Sequence, residues 1–281
     1  MNTFIHRADF ASAWYDLLGR LYNDGAPVAP RGFETHELLG VQVRVDDMTR
    51  CVLVHPARGL NYRFMVAEWL WIAAHRQDVA TLAKYNKQMA QFSDDGVILA
   101  GAYGPRMEQQ VVWMMDQLRA KPDTRQALAT IWTTTPAFSR DIPCTISWQL
   151  LARDGALHAI VNMRSSDVHL GLPYDFFSFA QLTNGIAGEL GLTPGSLIFN
   201  LGSSHLYMRD AEKAALVFTT PNDLRCISSP RLPSRPPANE VLKLNSWLTA
   251  PWSAYRDALM ASTSVDALAV LRGLVDESSK H

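Results

Sequence analysis

Residues 164–175 read RSSDVHLGLPYD, a run that joins a strand-forming segment to a helix-forming segment. Before this run, the β-rich segments Thr145–Arg153 and Leu157–Met163 are joined by Asp154-Gly155, a strong hairpin signal. After it, apolar residues at helical spacing predict a long helix over about Tyr174–Leu190. The sequence therefore predicts a β-hairpin that leads directly into a long helix.

Elsewhere, helices and strands mix without the regular alternation of a doubly wound protein, so the sequence predicts an α+β fold. The other predicted helices are Phe10–Leu21, Tyr62–Ala74, Val79–Phe92, Met107–Leu118, Arg125–Trp132, Met208–Leu216 and a helical stretch within Glu240–Glu277. The predicted strands are a pair within Leu39–Val54 and a single strand at Ser196–Leu201, and the segments Ala26–Thr35, Gly101–Gly104 and Ser228–Pro237 are predicted to be loops or turns.

Composition excludes several classes of protein. The chain has 281 residues, of which 48% are apolar, and a net charge of −1, so it lacks the excess of basic residues typical of duplex DNA binders. Three cysteines without a metal-ligand spacing predict neither a disulfide framework nor a metal site, and favour a reducing compartment. The first residues carry no signal-peptide pattern, and no apolar run is long enough to span a membrane. We expect a cytoplasmic protein.

Several residues near the opening motif could carry chemistry, and each also has a purely structural interpretation. Cys144 follows Pro143 just before a predicted strand, where it could be a nucleophile or a buried core thiol. Arg164 with Ser165 could bind a phosphate through charge-assisted hydrogen bonds, or could simply lie in a surface loop. Asp175 could be no more than an acid at a helix N-terminus. The residue types alone leave these alternatives open.

Taken together with their spacing, these motifs resemble the thymidylate synthase family, which includes nucleotide hydroxymethylases. The resemblance runs from about Arg31 to Leu216, and the spacing agrees without gaps from 144 to 207. The motifs that carry it are Pro143-Cys144, the run from Arg164 to Asp175, Gly202-Ser203-Ser204-His205-Leu206-Tyr207, and Glu68-Trp69-Leu70-Trp71.

The resemblance implies a role for each matching residue. Cys144 would add to C6 of a pyrimidine ring, Glu68 would organise water and move protons at the base, and Tyr103 would lie near C5. The substrate-binding residues would be Arg31, Arg125, Arg164 and Ser165 for the phosphate, His205 and Tyr207 for the sugar, and Asp175 for the base. The folate 5,10-methylenetetrahydrofolate would contact Asp167, Leu170 and Gly171. No metal is implied.

The resemblance also implies an architecture. We expect a single thymidylate synthase-like α+β domain over residues 1–281, with a central mixed sheet flanked by helices and a divergent helical region from about 228 to 281. It implies a sheet-mediated homodimer in which Arg125 reaches the phosphate of the neighbouring subunit. The second arginine that the family has after Arg125 is Gln126 here, which weakens that expectation.

Asp175 bears on which pyrimidine is bound. Thymidylate synthases carry asparagine at this position, and an amide both donates and accepts, which fits N3–H and O4 of uracil. Cytosine presents an N3 acceptor and an N4 donor instead. A carboxyl group can accept from N4–H and, when protonated, donate to N3, and relatives that act on cytidylates carry aspartate here. The sequence therefore favours cytosine over uracil.

Other departures from the family bear on the product. The tryptophan expected about fourteen residues before Tyr103 is Met89 or Ala90, and Thr145 replaces the histidine that normally follows the cysteine. The last residues are polar, Asp276 to His281, unlike the family's apolar tail. A wetter site favours water over hydride as the last reactant. We therefore expect a 5-hydroxymethyl rather than a 5-methyl product.

The sequence thus predicts a dCMP 5-hydroxymethylase. Three alternatives stay open: a dCMP C5-methyltransferase, a CMP 5-hydroxymethylase of the same fold, and a non-catalytic nucleotide- or RNA-binding protein. The conjunction of Cys144, Glu68 and Arg164 disfavours the last. Modified cytosine could serve phage DNA or a nucleoside antibiotic pathway, and in the first case the location would be the host cytoplasm.

Overall fold

A computed structural model of the protein describes residues 3–133, 138–220 and 224–229. Its helices are α1 (Phe10–Asp24), α2 (Tyr62–Ala73), α3 (Val79–Ala83), α4 (Tyr103–Ala120), α5 (Leu172–Glu189) and α6 (Ala211–Thr219). Its strands are β1 (Phe4–Arg7), β2 (Ala26–Val28), β3 (Thr35–Val45), β4 (Val52–Val54), β5 (Leu128–Thr130), β6 (Thr145–Arg153), β7 (Ala156–Asp167), β8 (Thr193–Tyr207) and β9 (Arg225–Ile227).

Seven of these strands form one mixed sheet, which confirms the predicted α+β fold with a central mixed sheet. The strand order is β1-β3-β8-β7-β6-β5, and β2 pairs with β3 outside this path. Strands β7 and β8 run parallel and are connected through α5, whereas β6 and β3 are antiparallel to their neighbours β7 and β8. The carboxyl ends of β7 and β8 and the start of β6 therefore meet at one edge of the sheet.

The helices cover one face of this sheet. Alternate residues of the strands, such as Val43, Val161 and Phe199, point into a core in which each is fully buried. Phe176 of α5 stacks on Phe10 of α1, with ring centroids 4.1 Å apart. Trp14 on α1 donates from Nε1 to the carbonyl of Val168, 2.7 Å away, and so holds the segment that follows β7.

The opposite face carries a row of side-chain hydrogen bonds that crosses four strands. Gln42 donates from Nε2 to Asn200 Oδ1 at 2.8 Å, and Asn200 donates from Nδ2 to Asn162 Oδ1 at 2.8 Å. Asn162 in turn donates from Nδ2 to Ser147 Oγ at 2.9 Å. We call these four residues the amide ladder, and the sheet surface that they occupy the open face. Ile160 and Ile198 flank the ladder and are partly exposed.

The predicted hairpin and the helix after it are confirmed. β6 and β7 pair from Arg153↔Ala156 to Thr145↔Met163, and the turn residues Asp154 and Gly155 have φ of 51° and 74°. Positive φ at both central positions is what an Asp-Gly hairpin turn requires. α5 begins two residues before the predicted start and ends within one residue of the predicted end.

Four local predictions were wrong. The predicted helix Arg125–Trp132 is a strand, β5, because it pairs with β6 and Gln110 holds the N–H and C=O of Thr130 through its side-chain amide. Val79–Phe92 is not one helix, since α3 ends at Ala83 and a separate 3-10 helix occupies Lys87–Phe92. The strands within Leu39–Val54 do not pair: β3 lies along β8, and β4 pairs with β9 in a separate two-stranded sheet. The predicted loop Ala26–Thr35 contains β2 and a 3-10 turn.

The predicted helical region Glu240–Glu277 lies outside the described residues, as does the irregular segment after Ser229. In the part of the chain that the structure describes, no helix is both long enough and apolar enough to cross a membrane.

Candidate active site

The sheet edge described above gathers most of the predicted site residues. Arg164, Ser165 and Asp167 lie at the end of β7, and His205 and Tyr207 lie at the end of β8. Asp167 and His205 are direct register partners on these parallel strands, and Ser165 pairs with Ser203. Residues that are 38 positions apart in sequence thus become neighbours through strand pairing.

Cys144 joins this group because it immediately precedes β6, the antiparallel neighbour of β7. The backbone N–H of Arg164 donates to the carbonyl of Cys144 at 2.8 Å. The Arg164 guanidinium donates to the carbonyls of Pro143 and Ile142, each 2.9 Å away, and its Nη2 lies 3.8 Å from Cys144 Sγ. Two backbone hydrogen bonds therefore hold a positive charge beside the thiol.

Burial raises the pKa of the Cys144 thiol, and the nearby charges of Arg164 and Arg31 partly oppose this increase. Asp175 and Asp141 are close enough to raise it further. The thiol is therefore protonated at neutral pH, and Arg164 is placed to stabilise the negative charge that appears on sulfur when the proton leaves.

Arg31 reaches this group from an early turn of the chain. It lies in the 3-10 turn Pro30–Gly32, with a left-handed φ of 54°, and it is exposed. Its Nη2 donates to Tyr207 Oη at 3.2 Å, and the ring of Tyr207 meets that of His205 edge-on at 5.1 Å. Because Tyr207 Oη accepts from Arg31, its own hydrogen is available to donate to a ligand oxygen.

Asp167 is held by the turn that follows β7. Its Oδ1 accepts from the backbone N–H groups of His169 and Leu170, both 2.9 Å away. Burial raises the pKa of Asp167 and lowers that of His205, its register partner, while the charge of each favours ionisation of the other. Leu170 is 38% exposed and Gly171 starts α5, so these two residues form the rim above Asp167.

Glu68, Tyr103 and Asp175 share a cleft of about 120 Å³ between α2, α4 and the first turn of α5. All three are half-buried. Desolvation raises the pKa of Glu68 to about 8, helped by the charge of Asp175, and raises that of Asp175 to about 7. It also raises the pKa of Tyr103 well above its usual range. At neutral pH the cleft thus holds carboxyl groups that can donate as well as accept.

The remaining wall of the cleft is largely apolar. Trp71, Leu82, Met89 and Leu99 line it opposite the carboxyl groups. Of the two positions that the sequence offers for the family tryptophan, Met89 lines the cleft and is half-buried, whereas Ala90 is not part of the lining. A flexible thioether thus occupies the place expected for a rigid indole.

Arg125 does not join this group within the chain. It is exposed, and its carbonyl accepts from Gln149 Nε2 at 2.8 Å near the edge strand β5. Gln149 is five residues along β6 from Cys144, so Arg125 is roughly 15 Å or more from the thiol.

Three residues near the site were missed from the sequence. Arg58 is only 9% exposed, and its pKa is influenced by Tyr174 and Asp167. Tyr174 directly precedes Asp175 and interacts with both Arg58 and Glu68. Asp141 lines the cleft and accepts from the N–H of Gly101 at 2.7 Å. The only sequence signal was their position: Asp141 and Tyr174 adjoin recognised motifs, and Arg58 precedes the Glu68 helix.

The fold agrees with the comparison to known families. The sequence profile of the family described as "Thymidylate synthase" matches residues 12–228, which is most of the chain. The chain belongs to the thymidylate synthase family.

A curated relative narrows the comparison further. The chain is 33% identical over 219 residues to a protein of Bacillus phage SP01 named deoxyuridylate hydroxymethyltransferase. The match covers 70% of this chain and 57% of that protein, so the chain spans little more than half of the relative's length.

Proposed function

We propose that the protein transfers a one-carbon unit to C5 of a pyrimidine nucleotide, and that it is a dCMP 5-hydroxymethylase. The observation that carries the proposal is that the Cys144 thiol, with the Arg164 guanidinium 3.8 Å from its sulfur, lies close enough to Asp175 and Tyr103 of the carboxyl-lined cleft for their charges to influence one another. Such a group of perturbed, convergent side chains is typical of an active site.

The first step follows from the position of Cys144. The thiol first gives its proton to water, and the thiolate then adds to C6 of the pyrimidine: a C–S bond forms, and the electron pair of the C5=C6 double bond moves onto C5. C5 thereby becomes a carbon nucleophile, which is covalent catalysis of the kind that divides a difficult step in two. Arg164, 3.8 Å from the sulfur, stabilises the charge that develops before attack.

Base recognition follows from the chemistry of Asp175. With a pKa raised to about 7, its carboxyl group is partly protonated at neutral pH and can donate to N3 of cytosine while its other oxygen accepts from N4–H. Glu68, with a pKa raised to about 8, is placed to move a proton at the base through water. Tyr103, in the same cleft, would complete this proton path near C5.

Arg31, Arg164 and Ser165 would hold the 5′-phosphate of the nucleotide, and His205 and Tyr207 the sugar. The phenol of Tyr207, already an acceptor from Arg31, would donate to a sugar hydroxyl oxygen. These contacts resemble those to a deoxyribonucleotide, which supports dCMP over CMP.

The residues beside Asp167 fit a folate. The Asp167 carboxyl group and the buried Arg58, whose Nε has no partner among the described residues, present an acceptor and a donor side by side. A pterin edge carries the complementary amide and amino groups. Asp167, Leu170 and Gly171 would hold the ring, and 5,10-methylenetetrahydrofolate supplies the one-carbon unit when bound.

Two observations support a hydroxymethyl product. Met89 replaces the indole that would shield the cleft, so water can reach a one-carbon unit on C5 more easily. The phage relative is named as a hydroxymethyltransferase. Its name also supports a second candidate, dUMP as substrate, whereas Asp175 favours cytosine.

We also propose a homodimer formed through the open face, with Arg125 reaching the phosphate of the neighbouring subunit. The open face is partly apolar at Ile160 and Ile198, and Arg125 is exposed and remote from its own Cys144. Mixing an Arg125→Ala subunit with a Cys144→Ala subunit tests this: restored activity supports shared sites, and no restoration at confirmed mixed-dimer formation contradicts them.

The decisive experiment incubates the protein with 5,10-methylenetetrahydrofolate and dCMP, CMP or dUMP in parallel. We expect 5-hydroxymethyl-dCMP and tetrahydrofolate. Dihydrofolate would show methylation instead, preferential turnover of dUMP would show the second candidate, and no turnover of any nucleotide would contradict the enzyme assignment. Cys144→Ala is the control that should abolish each product.

A further inference from the structure

We propose that Arg58, Tyr174 and Asn61 form a clamp that fixes the first turn of α5 against the first turn of α2, and that this clamp sets the spacing of Glu68 and Asp175. Arg58 and Tyr174 are then positioning residues for base recognition. The inference rests on the proposed function for its consequence in catalysis, but the clamp itself can be tested without turnover.

The first contact of the clamp joins the two helices directly. The backbone N–H of Asn61 donates to Tyr174 Oη at 3.1 Å. Asn61 is also the residue that caps α2, since its side-chain oxygen accepts from Phe64 N at 3.0 Å. The ring of Phe64 meets the ring of Tyr174 edge-on at 5.2 Å. One residue of α5 thus contacts both the cap and the first turn of α2.

The second contact involves a buried cation. Arg58 precedes α2, is 9% exposed, and lies close enough to the Tyr174 phenol for each group to influence the pKa of the other. Asn61 and Arg58 therefore both approach Tyr174 from the segment before α2. A buried guanidinium is held near its partners, because moving away would forfeit the favourable charge of Asp167.

Both ends of the clamp adjoin the carboxyl groups. Tyr174 is the residue before Asp175, and Glu68 lies two turns along α2 from Asn61. The phenol of Tyr174 interacts with the charge of Glu68. Trp69 and Phe177 hold the next turns of the same two helices together, with rings 6.1 Å apart and edge-on. Without the Tyr174 hydroxyl, the contact between the N-terminal turns of α2 and α5 would become the least restrained part of this helix pair.

Other groups face the two carboxyl groups from each element around the cleft. They are Tyr103 from α4, Asp141 and Cys144 from the segment before β6, and Tyr174 from the clamp. Changes in titration after removal of the clamp must therefore be compared with a variant that leaves all of these groups in place.

Tyr174→Phe is the direct test, because it deletes only the oxygen that accepts from Asn61. The matched control is Tyr15→Phe, which deletes the hydroxyl of a partly buried tyrosine of α1 whose ring packs on Phe218, away from α2 and the clamp. Carbon-13 labelled carboxyl groups of Glu68 and Asp175 are titrated by NMR in both variants and in the unaltered protein. Kinetics with dCMP and dUMP then give the ratio of kcat/KM for the two bases.

We expect Tyr174→Phe to lower the pKa of both carboxyl groups by about one unit, toward their ordinary values. We also expect the ratio of kcat/KM for dCMP over dUMP to fall by about tenfold, which corresponds to the free energy of one buried hydrogen bond. Tyr15→Phe should leave titrations and preference unchanged. Arg58→Met should act like Tyr174→Phe, and Arg58→Lys should restore part of the effect.

Titrations of Tyr174→Phe that coincide with those of the unaltered protein would overturn the clamp, whatever the stability of the variant. A shift of equal size in Tyr15→Phe would also overturn it, because a general loosening would then be the cause. If the shift is found only in Tyr174→Phe but no nucleotide is turned over by the unaltered protein, the clamp stands and the proposed function fails.

Discussion

Glu68 on α2 and Asp175 on α5 line one cleft, and the charge of Asp175 contributes to the raised pKa of Glu68. Two carboxyl groups in such a position cannot both ionise readily at neutral pH. Their pKa values, about 8 and about 7, bracket the range in which the protein would work. In the proposed reaction the pair is a source of protons, and its buried acids also lower the stability of the folded protein once the pH exceeds their ordinary pKa values.

The raised pKa values of Glu68 and Asp175 predict how the stability of the folded protein depends on pH. In the folded protein both acids keep protons that the unfolded chain has already released above the ordinary values of 4.5 and 3.8. The contribution of this pair to stability is therefore fully present below those ordinary values and is lost as the pH rises through about 7 and 8. Urea unfolding at pH 5 and pH 8 should differ by on the order of a few kcal/mol, with a slope of at most about 1.4 kcal/mol per pH unit for each acid.

The double variant Glu68→Gln with Asp175→Asn should flatten this dependence. A matched control, Asp116→Asn with Glu212→Gln, makes the same two chemical exchanges at exposed acids of α4 and α6. The control should keep the slope. Equal slopes in the two double variants would show that the cleft acids are not responsible.

Asp175→Asn should move base preference from cytosine toward uracil. The amide donates and accepts with fixed polarity, which suits N3–H and O4 of uracil, whereas a cytosine edge would face unpaired groups. We expect the ratio of kcat/KM for dCMP over dUMP to fall by about one hundredfold or more, as expected when a buried polar edge is mismatched. Unchanged cytosine preference would refute the role given to Asp175.

Arg164→Met should make the Cys144 thiol less reactive. Its guanidinium opposes the burial that raises the pKa of the thiol, so its loss should raise that pKa further and lower the thiolate fraction at pH 8. Alkylation by iodoacetamide, followed on the Cys144 peptide by mass spectrometry, should slow by about tenfold for each pKa unit. Arg140→Met, which removes an exposed arginine paired with Asp94, should alkylate at the original rate.

Met89→Trp should shift the product from hydroxymethyl toward methyl. An indole on the cleft wall would exclude water from the one-carbon unit, which favours hydride transfer and release of dihydrofolate. Met89→Leu is the control, since it keeps an apolar side chain of similar volume. The ratio of dihydrofolate to tetrahydrofolate should rise only in the tryptophan variant, and an equal rise in the leucine variant would remove water exclusion as the explanation.

Local signals in the sequence were sufficient for the hairpin, α1, α2 and α5. The dipeptide Asp154-Gly155 by itself predicts a turn with positive φ at both residues, as observed. The helical spacing of apolar residues from Phe10 to Leu21 matches the buried side of α1. β5 could not be predicted in this way, because a three-residue edge strand is defined by its partners Ala129↔Trp148 and by Gln110 rather than by its own residues.

For the site, the motifs predicted most members but not their contacts. Arg31 and Tyr207, which form a hydrogen bond, are 176 positions apart in sequence, so no local sequence pattern could predict this contact. Arg58 was missed because its neighbours are ordinary loop residues, and its importance depends on burial beside Tyr174, which only the packing of α2 on α5 creates.

The amide ladder of the open face has a consequence for hydration. Its amide groups bond to one another in series from Gln42 to Ser147, so much of their hydrogen-bonding capacity needs no water. When solvent is removed from this row, few hydrogen-bond donors are left without an acceptor. Burial of Ile160 and Ile198 beside it is favourable through the hydrophobic effect. While it is exposed, this sheet surface is polar enough to be well hydrated. When another protein surface covers it, the free-energy cost of removing water from it is small.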